Sequence, residues 1–120
     1  FDTTILFKKK TIYKCRTTEC CKKTLKSFNN KSHDLYTAMV FMINNDIIKS
    51  TLTETKITFK NNNMSDINSY VEKNIKQISK AVGCYNVEEK GKNFFKNIYG
   101  SYFNIIGIDI INFLKILKSI

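Results

Sequence analysis

SHDLYTAMVFMINNDIIKSTLTETKITFK, running from Ser32 to Lys60, is the stretch on which the choice between helix and sheet turns. Leu35, Ala38, Met39, Met42 and Ile43 recur at intervals of three and four, the spacing of one face of a helix, from a start at Ser32 or Asp34 to a stop at Asn44-Asn45. Past that stop, Ile47, Ile48 and Leu52 can continue a helix, whereas Thr51, Thr53, Thr55, Ile57, Thr58 and Phe59 bring β-branched and aromatic side chains that suit a strand. No clear second strand offers itself for pairing, so the periodicity predicts a helix over 34–43 and a helix with an extended end over 46–60. A small added hairpin is the alternative.

Outward from there the helical spacing continues. Ser65 is a good N-cap, Asp66 suits the positive end of a helix, and Ile67, Tyr70, Val71, Ile75, Ile78 and Val82 line one face up to Gly83. Thr17 or Thr18 can cap a shorter helix whose Cys21, Leu25 and Phe28 share a face, ending at Asn29-Asn30. Phe94, Phe95, Ile98 and Tyr99 form the apolar side of a segment over 87–99. After Gly100, the run from Tyr102 to Leu117 is apolar on most sides and belongs in the middle of a bundle. Residues 1–14 read either as an extended arm or as a short helix. The expectation is all-α: one domain over 1–120, a compact, disulfide-stabilised bundle of about five helices with the C-terminal helix central.

The absence of proline and the presence of only four glycines support that expectation, because tight hairpins commonly use such residues. The net charge of +10 raises the question of an anionic partner. Its cations are 19 Lys and a single Arg, Arg16, and the densest run, Lys8-Lys9-Lys10, is three residues long. Base readout favours the bidentate guanidinium, so no specific nucleic acid is expected. Asp109 and Asn112 interrupt the C-terminal apolar run, so no transmembrane segment is expected either.

Cys15, Cys20, Cys21 and Cys84 are an even number in a small chain, which points to disulfides and an oxidising compartment. Adjacent cysteines rarely bridge each other, leaving Cys15–Cys20 with Cys21–Cys84, the favoured pairing, or Cys15–Cys21 with Cys20–Cys84. Neither the Cys15 to Cys20 gap nor the adjacent pair has the spacing of a zinc site, so no metal is expected. His33 reads as a solvated loop residue, and Glu88-Glu89 point about 100° apart on a helix. No Gly-rich phosphate loop is present, so neither a catalytic set nor a cofactor is expected.

These features together predict a secreted, basic, non-enzymatic protein that binds a partner protein, such as a host's, as an effector or toxin does. The first alternative is a carrier of a small hydrophobic ligand lined by Met39, Phe94, Phe95, Phe103 and Ile106. The second is an intracellular viral or parasite interaction module with reduced cysteines.

Overall fold

A computed structural model describes residues 2–86, 90–104 and 107–120. Its centre is an antiparallel sheet of five strands in the order β2-β1-β3-β4-β5, comprising β1 (Asp2–Phe7), β2 (Lys10–Ile12), β3 (Ser32–Ile43), β4 (Asp46–Phe59) and β5 (Phe95–Asn104). Three helices accompany it: α1 (Thr18–Phe28), α2 (Met64–Ile78) and α3 (Gly107–Lys118).

The deciding stretch is a hairpin. Ser32 pairs with Thr58 and Ile43 with Asp46, with one bulge between Phe41 and Met42. Asn44 and Asn45 take φ of 52° and 69°, the left-handed backbone of a two-residue type I′ turn, which matches the twist of the flanking strands. Lys8 and Lys9 do the same between β1 and β2, at φ of 51° and 64°. Asparagine tolerates this conformation well and lysine less so.

Both sheet faces carry helices, while Met39, Phe41 and Ile43 towards the far end of β3 stay exposed. His33, Leu35, Ile57 and Phe59 join Ile5 and Phe7 under α1 and α2, which contribute Cys21, Leu25, Phe28, Ile67, Val71 and Ile78. On the opposite face, Ala38 and Leu52 pack with Ile110 of α3, flanked by Tyr36, Val40, Phe113 and Leu114. Phe28 anchors the larger cluster, edge-on to Phe7 at 5.0 Å and to Phe59 at 5.4 Å, and burial of one such side chain contributes about 1.5–3 kcal/mol.

Caps fix where the helices begin. Thr17 Oγ1 accepts from Cys20 N at 3.2 Å to start α1, and Asn63 Oδ1 accepts from Asp66 N at 2.8 Å to start α2. Asn29 and Asn62 clasp the ends of α1 and β4, with Asn29 Nδ2 donating to Asn62 O at 2.8 Å and Asn62 Nδ2 donating to Phe94 O at 3.1 Å. Lys22 and Glu72 join α1 to α2 at 2.9 Å.

The architecture therefore corrects the all-α expectation. Residues 1–14 hold β1 and β2, the predicted helices over 34–43 and 46–60 are β3 and β4, and Phe95 to Asn104 form β5. Part of the predicted 87–99 helix, 87–89, lies outside the described residues. The C-terminal helix is not central: α3 covers one sheet face and leaves Ile111 and Ile116 exposed. Among the described residues no helix is long and apolar enough to cross a membrane.

Candidate functional site

Of the five residues proposed to line a ligand cavity, Met39 does not converge with Phe94 and Phe95. Met39 pairs with Thr51 and is exposed, whereas Phe94 and Phe95 pack on Phe59, eight positions further along β4 and so roughly 26 Å away at strand rise. Phe103 pairs through its backbone with Leu52, and Ile106 lies outside the described residues. Phe94 and Phe95 are core, edge-on to Tyr70 and Tyr85 respectively.

His33 is not a solvated loop residue. It sits on β3, 2% exposed, stacked on Phe28 at 4.1 Å and sharing a 2.6 Å hydrogen bond with Tyr85 Oη. Burial lowers its pKa to about 4 and pushes the Tyr85 phenol up, so the pair is neutral near pH 7 and sealed from solvent. That arrangement is structural.

Cys15 and Cys20 are joined by a disulfide, while Cys21 and Cys84 are free, buried thiols. Burial, followed by a hydrogen bond from the Cys21 side, pushes the Cys84 thiol up, so it stays protonated.

Two clefts are formed by described residues. The larger, about 450 Å³, runs between Lys60, Asp66, Tyr70, Lys73 and Phe94. Its most buried polar residue, Asn62, is spent on holding the chain, bonding Asn29, Lys60 O and Phe94 O. The smaller, about 340 Å³, lies where β1 starts and β2 ends, beside the last turn of α3, and brings Thr3, Thr4, Thr11, Tyr13, Lys14 and Lys118 together.

The smaller cleft has the better chemistry. The Thr11 hydroxyl donates to Leu117 O and Tyr13 Oη donates to Lys118 O at 3.1 Å. These bonds satisfy carbonyls that a helix end leaves over, and they fix Lys118 at the rim. Thr4 Oγ1 is different: it lines the cleft, its residue is 2% exposed, and it has no hydrogen-bond partner. A buried hydroxyl left unpaired costs about 1–3 kcal/mol, so a ligand acceptor in the cleft would recover that cost. Lysines and hydroxyls on a concave surface suit an anion with many oxygens, such as a phosphate chain.

Sequence reasoning missed all of these residues. Thr4 and Thr11 come to one cleft only through the β1–β2 hairpin, and Lys118 only through α3 packing on β1 and β4. The Thr3-Thr4 pair and the Tyr13-Lys14 pair were the available signal, and they become one only once the Lys8-Lys9 turn that brings them together is recognised.

Comparison with known proteins adds a second line of evidence. The profile of a family described as Maf-like protein matches residues 1–120. A nucleoside triphosphate pyrophosphatase of Ruegeria sp. (strain TM1040) is 31% identical over 93 residues, 78% of this chain and 47% of that protein. A dTTP/UTP pyrophosphatase of Bacillus cereus (strain G9842) is 27% identical over 118 residues, 98% of this chain and 60% of that protein. One of Lacticaseibacillus casei (strain BL23) is 25% identical over 118 residues, covering 63% of its length. The chain thus spans about half to five-eighths of the curated relatives it matches.

These matches overturn the expectation of a secreted, effector-like, non-enzymatic binder, since the relatives bear the names of nucleotide-cleaving enzymes. The carrier and the viral or parasite module fall with it, and the extracellular assignment loses its ground. Because the family profile runs from the first residue to the last, the chain belongs to the Maf-like protein family.

Proposed function

We propose that this chain is the part of a nucleoside triphosphate pyrophosphatase that grips the phosphate chain, in the cleft of Thr4, Lys14 and Lys118, with a pyrimidine triphosphate such as dTTP or UTP as substrate. The names of the relatives support the reaction and the substrate class. The observation that carries the site is the buried, unpartnered Thr4 hydroxyl in a cleft that Lys14 and Lys118 also line.

In this reaction water attacks the α-phosphorus, the bond to the bridging oxygen breaks, and pyrophosphate leaves with the electron pair. Charge builds on that bridging oxygen and on the equatorial oxygens, so positioning and electrostatic stabilisation dominate the catalysis. Lys14 and Lys118 offset the charge of the departing pyrophosphate, and Thr4 Oγ1 donates one oriented hydrogen bond without reorganising. Thr4 is held by strand pairing with Tyr36, and the Lys118 backbone by the Thr11 and Tyr13 links to α3, so these two parts of the grip are preorganised.

The test is pyrophosphate release from dTTP and UTP in the presence of Mg²⁺, compared with purine triphosphates. Lys14→Ala is expected to lower kcat/KM by about 10²–10³-fold, the scale of one lost transition-state contact, with the urea midpoint unchanged because Lys14 is exposed. Wild-type activity in that variant would overturn the placement of the site.

A further inference from the structure

We propose that the reduced protein holds one thiophilic divalent metal ion of the zinc class between Cys15, Cys20, Cys21 and Cys84. The Sγ atoms of Cys15, Cys21 and Cys84 all lie within 4.8 Å of one another, and Cys20 Sγ is bonded to that of Cys15. In a tetrahedral thiolate site with metal–sulfur bonds of about 2.3 Å the sulfur–sulfur edge is about 3.8 Å, so the edges among Cys15, Cys21 and Cys84 need to contract by about 1 Å or less, while the Cys15–Cys20 edge opens by about 2 Å once the disulfide is reduced. Spacing along the chain argued against zinc. The fold supplies what spacing lacked by converging three segments: the exit from β2 with Cys15, the first turn of α1 with Cys20 and Cys21, and the turn after α2 with Cys84.

The surroundings suit a soft ion. Only sulfur donors make up the cluster, and thiolate ligands select zinc-like ions over hard cations. Cys15 is 6% exposed and Cys21 and Cys84 are 0% exposed, so a bound ion would be shielded from water. Cys20 and Cys21 both lie in the first turn of α1, so one turn supplies two of the four sulfurs. Lys14, Arg16, Lys22 and Lys23 flank the ligands in sequence and offset the two negative charges of a four-thiolate site. Gly83 and Cys84 both take positive φ, 83° and 64°, in the turn that delivers the Cys84 sulfur to the cluster. The cluster is also close in sequence to the proposed phosphate cleft, since Cys15 follows Lys14 and Cys84 lies two residues after Val82, both cleft residues.

The chemistry balances in two steps. A dithiol reductant gives two electrons and two protons to the Cys15–Cys20 bond and leaves as its own cyclic disulfide. The divalent ion then displaces four thiol protons to form a dianionic four-thiolate centre. The competing outcome is a Cys21–Cys84 disulfide formed under oxidation.

Anaerobic titration of the dithiol-reduced protein with Co²⁺ is the test. The expected result is one ion per chain, thiolate-to-metal charge-transfer absorption that Zn²⁺ abolishes, release of about four protons, and protection of all four cysteines from alkylation. Cys20→Ser, at an exposed position that does not threaten folding, is expected to weaken Co²⁺ binding about tenfold or more. The proposal is overturned if charge-transfer absorption is absent at saturating Co²⁺, if alkylation is undiminished by Zn²⁺, or if Cys20→Ser binds like the parent protein.

Discussion

His33 and Tyr85, 52 residues apart, meet at 2.6 Å between the sheet and α1, each enclosed by Phe28 and Phe59. His33 is lowered to about 4 by burial, whereas in the unfolded chain it titrates at its ordinary value of 6.5. Between these two values the unfolded state binds the extra proton, so stability is full above pH 6.5 and falls as pH drops towards 4. The loss approaches about 3 kcal/mol. Urea unfolding at pH 7, 5.5 and 4 checks this, and His33→Leu is expected to flatten the dependence.

The turn at Asn44-Asn45 predicts a gain. Both residues hold φ near +60°, and glycine at the second position removes the Cβ penalty of that conformation. Asn45→Gly should raise stability by about 0.5 kcal/mol, while Asn44→Val, a β-branched residue forced to positive φ, should lower it by about 1–2 kcal/mol. Thermal unfolding of the two variants decides the matter.

Gly83 should tolerate no side chain. A Cβ there would lie 2.5 Å from Ile5 Cδ1 and 3.1 Å from Tyr85 Cε1, at a φ of +83°. Gly83→Ala is expected to cost about 2–4 kcal/mol from overpacking and backbone strain together. Ile5→Val removes the clashing Cδ1, so the double variant should cost less than the two single changes summed, as a double-mutant cycle would register.

Thr4 separates stability from function. Thr4→Val replaces an unpartnered buried hydroxyl by a methyl of the same shape and is expected to stabilise the protein by about 1 kcal/mol. The same change should weaken binding of pyrophosphate or dTTP about tenfold, the value of one hydrogen bond to a charged group. Paired calorimetric and denaturation measurements check both signs.

The reasons why α1 and α2 were legible and the sheet was not are physical. Cys21, Leu25 and Phe28 are buried on α1, and Ile67, Val71 and Ile78 on α2, because each helix covers the sheet with one face and exposes the other. The α2 cap was misplaced by two residues, since Asn63 rather than Ser65 accepts the bond. On β3 the alternation was hidden because helices cover both sheet faces. Leu35 packs towards α1 and α2, Ala38 towards α3, and the two sets interleave into an apparent spacing of three and four. The turns lacked glycine, so Asn44-Asn45 resembled a helix stop and Lys8-Lys9 resembled a basic run. The cleft of Thr4, Lys14 and Lys118 was invisible as well, being built from the ends of β1 and β2 and the tail of α3.

The two short turns also set an order of assembly. Phe7 to Lys10 and Ile43 to Asp46 each close over two residues, so both hairpins can form in about 1–10 μs. Joining them through Ile5 and Leu35 requires the chain to bridge α1, and seating β5 on β4 requires it to bridge α2. Those longer closures cost entropy before they return contacts, and they set the pace at which the sheet is completed.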